Sequence, residues 1–136
     1  MEFTQTEFDR LIKLPKFFKD ASGIQLPMQQ QRKNYEINCS ESDTFILDYD
    51  RKGRYELKHK TQLREGKHRV LMRIEINAPP HMRLDGTTTG RNHIHIYNPT
   101  GQISYDINIG HEPLEILSEL CKLCNIELPQ ILQGVM

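Results

Sequence analysis

Alternation of apolar and polar residues, broken by short turns, runs from residue 35 to residue 109 and constrains the fold more than any other feature. A period of two is that of a β-strand with one buried face, and short turns between such segments favour antiparallel neighbours. The apolar positions are Tyr35, Ile37 and Cys39; Phe45, Leu47 and Tyr49; Tyr55, Leu57 and His59; Val70, Met72, Ile74 and Ile76; Ile94 and Ile96; and Ile103, Tyr105, Ile107 and Ile109. The pattern predicts an antiparallel sheet of about five to six strands.

A helix is predicted at each end of this sheet. Near the N-terminus, Thr4 and Glu7 have the spacing of a capping box, and Phe3 and Phe8 that of a hydrophobic staple. Near the C-terminus, Pro113 suits the first turn of a helix. The apolar face of that helix would be Leu117, Leu120, Cys121 and Cys124. The expected fold is therefore a single α+β domain over residues 1–136, with the sheet flanked by an N-terminal and a C-terminal helix.

Composition excludes some classes of protein. No apolar run approaches the ~18 residues that a membrane span needs, and the first residues lack the pattern of a signal peptide. The cysteine count of three is odd, which favours reduced thiols in the cytoplasm over a disulfide framework. Cys121 and Cys124 form a CxxC pair, but both fall on the apolar face of the predicted helix, which favours core residues over ligands.

Three of the six histidines lie between residues 79 and 97, in PPHMRLDGTTTGRNHIHIY. His93 and His95 are two residues apart on a predicted strand, so both rings project from one face. Zinc binds three or four such donors in a tetrahedral array. We therefore predict a zinc site made by His81, His93, His95 and Asp85. The fourth ligand stays open, since His59 could also reach the site if the order of the strands allows it.

The same histidines permit a second interpretation. Two imidazoles beside cationic groups could act as general acid and base on a phosphodiester, as in metal-independent ribonucleases. His81, His93 and His95 would then be catalytic residues, and Arg73 or Arg91 would stabilise the developing charge. A third interpretation is that these histidines are ordinary strand and loop residues.

Basic residues are concentrated in the middle of the chain, although its net charge is zero. Residues 51–73 contain nine Lys or Arg and two Glu, a net charge of +7. Alternation places some of these cations on the outward faces of the third and fourth predicted strands: Arg54, Lys58, Lys60, Arg69 and Arg73. We predict that they form a partner-binding patch. Direct nucleic-acid binding is the weaker alternative. No aromatic stacking platform accompanies the patch, which counts against single-strand binding in particular.

The pattern APPHMRLDG…NHIHIY, preceded by FILDYDRKGRYELKHKTQLR, resembles a family of small proteins of Gram-positive bacteria and their prophages, over roughly residues 35–110. Some small phage and prophage proteins of this size and character are anti-CRISPR proteins, which inhibit the type II RNA-guided DNA nuclease. At least one of them resembles this chain in being a zinc-containing α+β protein. The PPH…HxH pattern is also similar to that of small toxins of toxin–antitoxin pairs.

The resemblance to the inhibitors implies a phage-encoded, non-enzymatic protein. It would bind a bacterial CRISPR type II effector nuclease stoichiometrically and block DNA loading or cleavage. The zinc would be structural, fixing the loop at residues 78–92 against the sheet, and the protein would act in the cytoplasm of the host bacterium. The resemblance to toxins implies instead a small ribonuclease.

Overall fold

The computed structural model describes residues 3–53, 57–99 and 101–133, and an eight-stranded sheet is its centre. The elements are α1 (Gln5–Lys13), β1 (Lys16–Phe18), β2 (Arg32–Cys39), β3 (Phe45–Lys52), β4 (Lys58–Glu65), β5 (Arg69–Ile76), β6 (His93–Asn98), β7 (Gly101–Asp106), α2 (Pro113–Leu123), β8 (Ile126–Glu127) and α3 (Gln130–Gln133). The strand order is β7-β6-β5-β4-β3-β2-β1-β8. Neighbouring strands are antiparallel, except that β1 and β8 are parallel. The α+β class is confirmed, whereas the predicted five to six strands were too few.

The two strands that the alternation does not predict are β1 and β8. With three and two residues, they are too short to show a period. The buried Lys16 lies where they meet, and its amine donates to the carbonyls of Ile12, Leu14 and Cys124 at 3.1, 2.9 and 2.7 Å. Burial lowers the pKa of this amine to about 8. Lys16 thus joins the end of α1 to the end of α2, an arrangement that depends on tertiary contacts.

The sheet has one apolar and one polar face, as alternation requires. The apolar face carries Leu47, Leu63 and Ile74 and packs with the helices. The polar face carries cross-strand rows, one of which consists of Asp48, Gln62, Arg73, His95 and Ser104. The inward and outward assignments made from the sequence for β3 and β6 are confirmed by the buried Leu47 and Tyr49 and by the pairing of His95 with Arg73.

Both predicted helices are present. Thr4 is the N-cap of α1 and its hydroxyl accepts from the Glu7 amide at 3.0 Å. Phe3 and Phe8 pack edge to face with ring centroids 6.0 Å apart, as the staple predicted. In α2, Pro113 is the first residue, and the predicted apolar face is buried: Leu117, Leu120, Cys121 and Cys124. Cys121 and Cys124 are therefore core residues, and burial raises the pKa of each thiol to about 12.

A β-bulge changes the face on which Arg69 lies. The register between β4 and β5 shifts at Leu63 and Arg64, so that Leu71 is fully buried and Arg69 pairs with Glu65. Glu65 in turn pairs with Phe45 of the apolar face. A one-residue shift in a strand moves every later side chain to the opposite face.

Arg69 accordingly contacts α1 instead of joining the polar face. Its guanidinium lies 4.4 Å from the centroid of the Phe3 ring and bonds Glu7 at 3.0 Å and Glu65 at 2.9 Å. The prediction that Arg69 shares an outward patch with Lys58, Lys60 and Arg73 was therefore wrong about its position.

Among the described residues, no helix has the length and apolarity needed to cross a bilayer.

Candidate metal centre

The centre is built by two neighbouring antiparallel strands. His93 and His95 project from the polar face of β6. The Cα partner of His93 on β5 is Glu75, and that of His95 is Arg73. Directly paired side chains of antiparallel strands lie about 5 Å apart, so this register places a carboxylate beside both imidazoles.

The two imidazoles converge on one carboxylate oxygen of Glu75. Glu75 Oε2 lies 2.8 Å from His93 Nε2 and 3.3 Å from His95 Nε2. One potential ligand atom from each of these residues falls within 4.8 Å of the other two. The His93 and His95 rings are nearly perpendicular, with centroids 4.6 Å apart. Each residue thus offers one donor atom to a common point.

The other ring nitrogens are held by residues outside the centre. Nδ1 of His93 lies 3.1 Å from the carbonyl oxygen of Gly90 and 3.3 Å from the Thr89 hydroxyl. Nδ1 of His95 lies 3.1 Å from the Ser104 hydroxyl and 2.5 Å from the side-chain amide nitrogen of Gln102. Metal-binding histidines usually have such a partner on the second nitrogen, which sets the tautomer and the ring orientation.

The two distances from Glu75 Oε2 fit a small divalent ion after a modest movement. Donors about 2.1 Å from a tetrahedral metal lie about 3.4 Å from one another. The 3.3 Å pair already has this spacing, and the 2.8 Å pair has to open by about half an ångström. Two imidazoles and a carboxylate are a donor set that zinc accepts.

A proton is the alternative occupant. Both nitrogens of His93 face acceptors, Gly90 O and Glu75 Oε2, so the ring without a metal is satisfied as an imidazolium. Burial lowers the pKa of His93, but hydrogen bonds to Glu75 and Gly90 outweigh it and raise the pKa above its usual value. Hydrogen bonds from His93 and His95 hold the pKa of Glu75 well below its usual range. The geometry therefore supports either a metal ion or a buried ion pair.

The centre is closed rather than open to substrate. His93 is 0% and His95 is 3% exposed. Thr89, also buried, contacts His93 and accepts from the His81 amide at 2.8 Å, while the Thr89 amide donates to the His81 carbonyl at 2.8 Å. These bonds close a small hairpin, residues 81–89, which lies against β6 and β7.

His81 approaches the centre from the base of this hairpin. Its ring centroid lies 4.7 Å from that of His95, edge to face, and 6.4 Å from that of His93. Burial and the charges of His95 and His93 lower its pKa. The structure brings His81, His93 and His95 together, but His81 is outside the tight group of three ligand atoms.

Asp85 lies elsewhere, at the exposed tip of the hairpin. Its Oδ1 accepts from the Thr87 amide at 3.0 Å and from the Thr87 hydroxyl at 2.6 Å. The carboxylate therefore stabilises its own turn and is not part of the group formed by Glu75, His93 and His95. The Asp-Gly sequence that suggested a ligand is explained by the turn, in which Gly86 has a φ of 89°.

His59 is also remote from the centre, because it lies on the apolar face of the sheet. It is 2% exposed, and its Nδ1 is 2.9 Å from the Tyr49 hydroxyl. Burial lowers the pKa of His59 to about 4. Its position on the opposite face of the sheet, paired with Ile76, thus excludes His59 as a fourth ligand.

Glu75 is the member of the centre that the sequence did not reveal. It sits in RIEIN of β5 as one of several polar-face residues. The sequence indicated only that Glu75 shares a strand face with Arg73, because the two are two residues apart. Its pairing with His93 depends on a register that local patterning does not contain.

The predicted basic residues do not form one patch. Lys58 and Lys60 are exposed on the polar face, where Arg73 donates to Gln62 at 3.0 Å and lies over the Tyr97 ring. Arg69 lies on the apolar face, as described above. Arg54 falls outside the described residues.

Comparisons with known proteins place the chain in a family without a known activity. No curated protein and no solved structure matches it. A family of unknown function (DUF6978) matches residues 3–126, which is most of the chain. The protein therefore belongs to the DUF6978 family.

Proposed function

We propose that this protein is a non-enzymatic metalloprotein in which Glu75, His93 and His95 hold one divalent transition-metal ion. Zinc is the ion that the donor set favours. The observation that carries the proposal is the convergence of these donors, with separations of 2.8 and 3.3 Å. The outer ring nitrogens are held by Gly90 O, the Ser104 hydroxyl and the Gln102 amide.

The role of the ion follows from the burial of its ligands. A catalytic zinc keeps a coordination position that substrate can reach, whereas a structural zinc is closed. With His93 and His95 nearly inaccessible and the 81–89 hairpin packed beside them, a structural role fits better. The ion would hold β5 to β6 and fix the hairpin, offsetting the conformational entropy lost when that loop is ordered.

Metal content tests this proposal. Protein purified without a polyhistidine tag should contain about one zinc per chain, measured by inductively coupled plasma mass spectrometry, which also identifies iron or another metal. His93→Gln and His95→Gln should lose the metal, and the matched His68→Gln, at an exposed position outside the centre, should keep it. Metal-free wild type that stays metal-free on incubation with zinc would contradict the proposal and favour the ion pair.

The resemblance to anti-CRISPR proteins extends the proposal to a partner. On this view the protein is phage-encoded, acts in the host cytoplasm and inhibits a type II effector nuclease by stoichiometric binding. A closed centre in a small protein suits inhibition without turnover. DNA cleavage by the nuclease should fall as the zinc-loaded protein approaches equimolar amounts. Unchanged cleavage at a large excess would remove the inhibitor claim and leave the metal centre standing.

The ribonuclease interpretation is less favoured by the geometry. A general acid or base has to reach the proton that it transfers. His93 and His95 are buried, and their Nε2 atoms face Glu75. A toxin would arrest growth on expression, and His95→Gln would relieve the arrest; an inhibitor would cause none.

A further inference from the structure

A second feature of the polar face is a cluster of four cations that we call the cation cluster: Arg32, Lys52, Lys58 and Lys60. Lys52 of β3 is the Cα partner of Lys58 on β4. Asp50 of β3 has Arg32 on one side and Lys60 on the other. The register of three adjacent strands therefore places the four cations around one carboxylate.

The cation cluster is exposed, and most of its charge is uncompensated among the described residues. All four of its residues are exposed. Lys52 pairs with Asp50 at 3.3 Å, and the Asp50 side chain is only 11% exposed. Among the residues that the structure describes, Arg32, Lys58 and Lys60 form no ion pair. Like charges directly opposite each other destabilise a sheet, so the Lys52–Lys58 pair costs stability without a bound anion.

Other cations of the same face are engaged. Arg64 bonds Asp48 at 2.9 Å, and Arg73 donates to Gln62 at 3.0 Å. Glu75, the strand neighbour of Lys60, accepts from the two histidines of the metal centre. Within the described part of this face, the unpaired charge is therefore concentrated at the β3–β4 end. The residues that carry it differ from those of the patch predicted from the sequence.

We propose that the cation cluster binds the phosphate backbone of a nucleic-acid duplex. Arg32 and Lys60 are two strand spacings apart, about 10 Å. A duplex carries one charge per about 1.7 Å of its axis, so a length of about 10 Å has about six phosphate charges, of which those on the near side face the array. Lys58 and Lys60 are about 6.8 Å apart along β4, so the cations extend along the strands as well as across them.

The surroundings favour a duplex over other acidic partners. Protein interfaces are centred on apolar or aromatic anchors and are depleted in lysine. The neighbours of the cation cluster on this face are Asp48, Gln62 and Glu75 instead. Single-strand binding uses exposed aromatic rings on which bases stack. Tyr97 is an aromatic residue of the same face, but Arg73 lies over its ring, so Tyr97 does not offer such a platform. Contacts to phosphate alone would make the binding independent of base sequence.

Fluorescence anisotropy with a labelled DNA duplex of about 20 base pairs, read from about 50 to 200 mM salt, tests the proposal. The wild type should bind with an affinity that falls steeply with salt. Lys58→Gln/Lys60→Gln should weaken binding and reduce the slope of log K against log salt by about 2. The matched control is Lys13→Gln/Lys122→Gln, which removes two exposed lysines from α1 and α2 and should leave the slope unchanged.

A charge-preserving variant separates binding from folding. Lys58→Arg/Lys60→Arg should retain the salt slope, and circular dichroism melts should show that all variants fold. No wild-type binding at about 50 mM salt would overturn the proposal, and so would equal losses in both glutamine doubles. Tighter binding to polyglutamate than to the duplex would also overturn it and indicate an acidic protein partner. Binding to the duplex should be the same with and without a metal chelator, because this proposal does not rest on the metal.

Discussion

Replacing Glu75 by glutamine isolates the contribution of the carboxylate to the metal centre. A ligand that binds only the folded state at a hundredfold excess over its dissociation constant stabilises that state by about 2.7 kcal/mol. For a chain of 136 residues, the entropy of unfolding is about 0.29 kcal/mol/K. Zinc should therefore raise the melting temperature of the wild type by about 9 °C.

The variant should lose most of this shift. Loss of an outer partner of a ligand weakens metal binding about 10–100-fold, so loss of the charged ligand itself should cost at least about 100-fold. At the same zinc concentration, the stabilisation then falls to about 0.4 kcal/mol, or about 1.5 °C. The assay is differential scanning calorimetry of the wild type and Glu75→Gln, each with a chelator and with zinc.

The matched control is Glu65→Gln. Glu65 is also a strand carboxylate bonded to a cation, Arg69 at 2.9 Å, but it lies on the apolar face. This variant should be less stable in general and still show the full zinc shift. Equal zinc shifts in Glu75→Gln and the wild type would refute the assignment of Glu75 as a ligand.

Three further predictions concern two buried residues, Lys16 and His59, and the hairpin residue Thr89. Lys16→Met should lower the free energy of unfolding by about 3 kcal/mol in urea titrations, because it leaves three main-chain carbonyls without their charged donor; unchanged stability would contradict the role of Lys16. The pKa of His59 is about 4 when folded and 6.5 when unfolded, so the unfolded state binds the extra proton between these values. Stability should thus be fully present above pH 6.5 and fall by up to about 3 kcal/mol towards pH 4, a slope that His59→Gln should reduce in urea titrations across this range. Thr89→Val removes the acceptor of the His81 amide and should speed amide hydrogen exchange at residues 81–89 without a matching change in β4. Exchange at residues 81–89 that is as slow in the variant as in the wild type would show that the hairpin does not depend on this hydroxyl.

Much of the fold follows from local patterning. Period-two alternation identified β2 to β7, with two differences in extent. The third predicted strand included Tyr55, which lies outside the described residues, and the sixth included Ile107 and Ile109, which lie beyond the end of β7. The capping residues of α1 and the apolar face of α2 were likewise readable from a few neighbouring positions. These signals are local because dihedral preferences and side-chain direction repeat within two to four residues.

Only part of the candidate site could be predicted from the sequence. The i, i+2 spacing placed His93 and His95 on one face, and that prediction is confirmed by their shared contact with Glu75. Glu75 itself was missed, and Asp85 was chosen because it was near in sequence. A carboxylate eighteen residues away becomes a neighbour only when β5 and β6 pair in one register.

Local patterning was sufficient to identify α1, α2, most of β2 to β7 and the side of β6 that bears the imidazoles, since each of these depends on neighbours along the chain. Tertiary packing was needed to place Glu75 beside the histidines, to bring Arg69 against α1 and to bring the four residues of the cation cluster together on the polar face. The physical reason is that strand register and the bulge at Leu63 and Arg64 are set by packing between distant segments, and a shift of one residue would exchange the two faces.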